Sequence, residues 1–223
     1  MDYNDILNTW KSYDLRLAEN LRLNRKNAED ITRMKVNSFL RSMQPIKIFT
    51  ILVGIAWVFF LLTMVLALFS VASPFFLVSA ALLAFLNAIA IGIYLYQAIL
   101  IYQADISEPI LATQEKIASL KSTTLWIARI LFLQLPLWTI FYWNNSMLEN
   151  GHFALLVLQA LVTFVFAYTG IWLFFNISFK NRNKRWFLLI FQGNEWTPLI
   201  KSMDLLEQVK EVNGEPSVKS DSF

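Results

Sequence analysis

The chain has 223 residues, of which 57% are hydrophobic, 15% aromatic and only 16% charged, where water-soluble domains carry about a quarter charged residues; a soluble fold of this size could not cover its surface. Cysteine is absent, which excludes a disulfide framework, a thiolate nucleophile and structural zinc. The net charge of +3 is small, and its placement fits a membrane protein better than a nucleic-acid partner.

Residues 1–47 read as an amphipathic helical segment. Tyr3, Leu7, Trp10, Leu17 and Leu21 fall at spacings of three, four or seven, with Tyr13 beside them and charges at many other positions. Ala28, Ile31, Met34, Phe39, Leu40 and Met43 continue the pattern, and no glycine or proline interrupts it before Pro45. The stretch 24–30 is polar enough for a bend or a register shift, so the spacing is compatible with one helix or two. No signal peptide is expected, since the first apolar run begins only after 47 mixed-charge residues.

Residues 48–176 are expected to form a transmembrane domain of four helices in two hairpins. From 48 to 104 no side chain is charged, a run too long for one helix at about 20 residues per crossing. Ser73 and Pro74 supply the break, placing spans at 49–70 and 76–102. The third span, 125–143, contains Arg129 and Pro136; the fourth, 153–176, has no charge. Continuous rather than alternating hydrophobicity selects an all-α polytopic fold over a barrel.

Segment 104–124 reads as an amphipathic helix leading into span three, with Asp105 or Ser107 as cap, Pro109 in the first turn, and Ile110, Leu111, Gln114, Ile117 and Leu120 on one side. Segment 144–152 reads as a loop. Residues 177–223 open on the basic run Lys180, Arg182, Lys184 and Arg185, followed by an interfacial apolar stretch at 186–191. A helix then starts near Thr197 and Pro198, carries Leu199, Ile200, Met203, Leu206 and Val209, and ends near Gly214 before a disordered polar tail.

Lys and Arg number nine in 1–47, two in 104–124, seven in 177–223 and none in the two opposite loops. The positive-inside rule therefore places both termini and segment 104–124 in the cytoplasm. The amphipathic segments should pack together beneath the membrane or bind a partner. The similar stretches Gly92-Ile93-Tyr94-Leu95-Tyr96 and Gly170-Ile171-Trp172-Leu173-Phe174 near the inner ends of spans two and four raise a parallel internal duplication.

Arg129 is the one Asp, Glu, Lys, Arg or His within the four spans. It lies about one turn from the inner end, where snorkelling to headgroups competes with a buried partner such as Gln97 or Gln103. Asn87, Gln134 and Gln159 are placed for interhelical hydrogen bonds rather than a polar path, and Pro136 for a kink. His152 and Glu149 are too few ligands for a closed metal site. Arg129, Lys180, Arg182, Lys184 and Arg185 are candidates for lipid headgroup contact. Leu7, Trp10, Leu17 and Leu21 are candidates for partner binding or self-association. No catalytic, cofactor or metal site is expected. Asp105, Glu108 and Glu115 read as a solvated helix face rather than a carboxylate pair at work.

The stretch Trp10-Lys11-Ser12-Tyr13-Asp14, followed by Leu17, Leu21 and Leu23, resembles bacterial four-span inner-membrane proteins without an assigned activity. So do Met43-Gln44-Pro45-Ile46-Lys47-Ile48-Phe49 and the run from Arg129 through Gln134 to Pro136. The resemblance covers most of the chain up to span four and implies an association with extracytoplasmic-type sigma factors, but brings no catalytic residue. The leading expectation is a non-enzymatic regulatory or scaffolding protein of the inner membrane; the alternative is a subunit of an oligomeric transporter or channel.

Overall fold

In the computed structural model, which describes residues 3–103, 110–191 and 196–213, Pro45 does not end the first helix. Helix α1 (Tyr3–Ala67) runs 65 residues without a break, about 95 Å at 1.5 Å per residue. The polar stretch 24–30 is carried through by local pairing: Arg25 and Glu29 lie 3.7 Å apart one turn from each other, and the Thr32 hydroxyl donates to the Ala28 carbonyl. The choice between one helix and two thus resolves to one. Pro45 removes a single N–H from the ladder, and the flanking turns stay helical.

The expected end of span one is corrected from 70 to Ala67, because residues 68–72 already turn: the N–H groups of Val71 and Ala72 donate back to the Leu68 carbonyl. Helix α2 (Pro74–Tyr102) then starts where Ser73 caps it, accepting from the Phe76 N–H at 3.3 Å, with Pro74 in the first turn. Helix α3 (Ile110–Leu133) joins the amphipathic segment to span three, and the helix is interrupted at Gln134, ahead of Pro136, before α4 (Leu135–Ile140) continues the span.

The segment expected to be a loop holds a short helix, α5 (Asn145–Asn150), because the Asn144 side chain accepts from the Met147 N–H at 2.6 Å and caps it. Helix α6 (Phe153–Asn176) is span four. A 3-10 turn (Phe179–Asn181), α7 (Arg185–Phe191) and α8 (Trp196–Asn213) complete the chain. Among the described residues, four helical segments are long and apolar enough to cross a membrane, within Trp10–Ala67, Pro74–Tyr102, Ala112–Ile140 and Phe153–Asn176. Asp105, Ser107, Glu108, Pro109, the tail 214–223 and the side chains of Leu206 and Val209 lie outside the described residues.

The spans form a helical bundle: α1 packs on α2 and meets α4 where Trp57 stacks on Trp138, α2 packs on α3 and α4, and these on α6. Helices α1 and α2 run antiparallel, as Lys47 over Tyr94, Gly54 against Ile91 and Leu61 beside Leu83 show. Only 6% of the apolar window of α6 is buried inside the protein, against 28% for α2, so α6 presents side chains such as Phe164 outward, 71% exposed. Such a surface requires a hydrocarbon solvent.

The larger core lies at the basic end of the spans. Val36, Leu40 and Met43 of α1 meet Ile101 of α2, Ile117 and Leu120 of α3, Phe187 and Phe191 of α7, and Leu199 of α8. Truncating any of these to alanine costs about 2–5 kcal/mol. In helix α7, Phe187 and Phe191 face this core while Leu188 and Leu189 face outward.

Candidate functional site

On α1 the apolar positions follow two successive seams. The first, Leu7, Trp10, Leu17, Leu21, Ala28 and Ile31, keeps alternating heptad spacing with Asp14 and Asn24 at the intervening seam positions. The second, Val36, Leu40, Met43 and Lys47, is buried against the rest of the chain. A one-residue slip between Ile31 and Val36 separates them. The first seam lies where every residue of α1 from 10 to 28 is exposed: Trp10 is 69% and Leu21 61% exposed. From Leu7 to Val36 the helix advances about 43 Å. Of the three amphipathic segments, residues 36–43 of α1, Ile117 and Leu120 of α3 and Leu199 of α8 pack into one core, whereas the stripe Leu7, Trp10, Leu17 and Leu21 is left open by the described chain.

A second group forms where α3 meets the chain leaving α6. The Arg129 Nε donates to the Ile177 carbonyl at 2.8 Å, and its guanidinium carbon stands 5.2 Å from the Trp126 ring. Its partner is thus neither Gln97 nor Gln103. Gln97 donates instead to Thr123 at 2.7 Å and Thr124 at 3.2 Å, and the Gln103 carbonyl accepts from Lys116. The carbonyl of Ile177 is free to accept because α6 has ended. Beyond it, Phe179 receives Lys121 at 3.8 Å and Arg182 at 4.6 Å from its ring centroid. Lys180, Lys184 and Arg185 are exposed on the same segment.

The amides named within the spans pair across helices. Asn87 donates to Gln134 at 3.3 Å, and Gln159 to the Thr139 carbonyl at 2.9 Å. Gly170 and Gly92, alike in sequence context, differ in packing. A β-carbon on Gly170 would lie 2.8 Å from the Phe132 carbonyl oxygen, whereas Gly92 faces open space.

Among the described residues no group of three or more His, Cys, Asp or Glu comes together, and His152 and Glu149 are exposed. At the end opposite the basic residues, the turn before α2 and the segment after α4 enclose an open cavity of about 540 Å³ with Ser73, Phe76, Phe141, Trp143 and Asn144 in its wall. Ser73 ties the two segments by donating to the Trp143 carbonyl at 2.8 Å.

Sequence reasoning missed Lys47. Its side chain is 0% exposed and its ammonium sits 4.6 Å from the Tyr94 ring centroid. The 36–40–43–47 spacing carries the signal, since it puts Lys47 on the same helical face as three apolar residues.

Comparison with family models, with curated proteins and with solved structures gives no match.

Proposed function

We propose that the chain is an inner-membrane protein of two helical hairpins, with both termini cytoplasmic, and acts as a non-enzymatic regulatory or scaffolding protein. The single observation carrying this reading is that Leu7, Trp10, Leu17 and Leu21 form an exposed apolar stripe on the helix that also supplies span one. A stripe of this kind is the binding element of helix-in-groove and coiled-coil recognition. Its occupant is a protein partner or a second copy of the chain. The positive-inside distribution of Lys and Arg supports the cytoplasmic side for it, and the resemblance to four-span bacterial proteins supports a regulatory role beside an extracytoplasmic-type sigma factor.

The test is affinity capture with the full chain in mild detergent, set against a variant in which Leu7, Trp10, Leu17 and Leu21 are all serine. Partners, including untagged copies of the chain itself, should be recovered with the first and lost with the second. Equal recovery would remove the stripe from the function.

A second reading, a subunit of an oligomeric transporter or channel, draws on the outward-facing apolar surface of α6, of whose window only 6% is buried within the chain. Solute flux from protein-loaded liposomes would favour it.

A further inference from the structure

Positive-inside retention needs basic residues in a loop; it does not need them to converge. Here they converge. Lys121 comes from α3 and Arg182 from the chain beyond α6, yet both cations stand over the one ring of Phe179, at 3.8 and 4.6 Å from its centroid. The two charges are no farther apart than those distances laid end to end, close enough for both to attract one anionic group. Arg129, two turns further along α3, is fixed in place by its Nε bond to Ile177 and retains its other guanidinium donors. The ring pins the cations by their attraction to its face, and the 3-10 turn at Phe179–Asn181 brings Arg182 round to it.

The surroundings indicate which phosphate. Trp126 lies 5.2 Å from Arg129, and Trp172 packs edge-on against Trp186 at 5.2 Å. Indole rings gathered at the end of membrane spans sit at headgroup depth, where phosphate belongs to a phospholipid and the apolar flank of α6 receives its acyl chains. We propose that Lys121 and Arg182, gathered at Phe179, form a binding site for the phosphate of an anionic phospholipid in the leaflet on the basic side of the protein, with Arg129 adding positive charge two turns along α3.

The experiment uses full-length protein in mixed micelles, with bound lipid counted by native mass spectrometry as phosphatidylglycerol is titrated against phosphatidylcholine. One retained phosphatidylglycerol is expected in preference to phosphatidylcholine. Each charge removed should weaken binding about 5-fold, so Lys121→Gln with Arg182→Gln should raise the apparent Kd about 25-fold. Lys184→Gln with Arg185→Gln makes the same change in net charge on exposed side chains and should move it less than about threefold. Equal effects from the two pairs would overturn the proposal in favour of diffuse attraction. Displacement of the lipid by millimolar inorganic phosphate would overturn it in favour of a soluble anion. Should the first pair fail to fold, Phe179→Leu keeps every charge and most of the apolar bulk. It should still weaken lipid retention several-fold, and an unchanged Kd there would refute the ring-centred site.

Discussion

The Arg129 guanidinium and the Ile177 carbonyl meet at 2.8 Å across 48 positions of sequence. The bond places a permanent cation at the C-terminal end of α6, where the helix dipole and an orphan carbonyl both favour it. A charge that would be costly unpaired in hydrocarbon thereby has an acceptor.

Replacing Arg129 by methionine keeps the stem and deletes the donor. A charge-assisted bond of this kind contributes about 1.5–3 kcal/mol, and the variant should lose that much in reversible unfolding by SDS, with Arg129→Lys recovering part of it. Unfolding curves that superimpose for all three proteins would show that the bond carries no net stability.

Gly170→Ala and Gly92→Ala should act in opposite directions. At Gly170 the new methyl would press on the Phe132 carbonyl at 2.8 Å, so α6 must back away from α3 at a cost of about 1–3 kcal/mol. At Gly92 nothing stands in the way, and alanine should gain about 0.5–1 kcal/mol from helix propensity. Thermal midpoints of the two variants in one detergent make the comparison.

Ser73→Ala removes two bonds together, the cap on the Phe76 N–H and the tether to the Trp143 carbonyl. The expected loss is about 1–2 kcal/mol. Hydrogen exchange should also quicken at residues 74–77; an unchanged rate there would leave the cap without energetic weight.

Sidedness is testable without background labelling, because the chain has no cysteine. Ser146→Cys, between the spans with no nearby basic residue, should react with an impermeant maleimide on intact cells. Ser12→Cys should react only after permeabilisation. The reverse pattern would invert the proposed orientation.

Residues 48–104 show how much of this fold is readable from composition alone. Lipid leaves few backbone solutions, and the absence of charge over that length forces two crossings. Ser73 and Pro74 mark the turn because cap and first-turn chemistry are local. Pro136 marks the break in span three for the same reason. What escaped is non-local or a matter of phase. The acceptor for Arg129 is a carbonyl made available by the end of another helix, which no spacing in α3 encodes. The cation pair over Phe179 needs the turn after α6 to fold back on α3. Lys47 belongs by composition to the basic residues before span one, although its place in the 36–40–43 series puts it inside. Asn144 capped a helix too short for periodicity to reveal.

The unbroken course of α1 through Pro45 has a consequence in angle. With about 3.6 residues per turn, every residue is set some 100° from the last, so the compass bearing of Trp10 about the helix axis is locked to that of Gly54 inside the bilayer. Two residues inserted between Ile31 and Val36 would swing Leu7, Trp10, Leu17 and Leu21 by roughly 200° while moving them outward by only about 3 Å; seven would return them to within about 20° of their first heading at a reach some 10 Å greater. A binding surface built this way is addressed by azimuth as well as by distance, and the two can be varied separately.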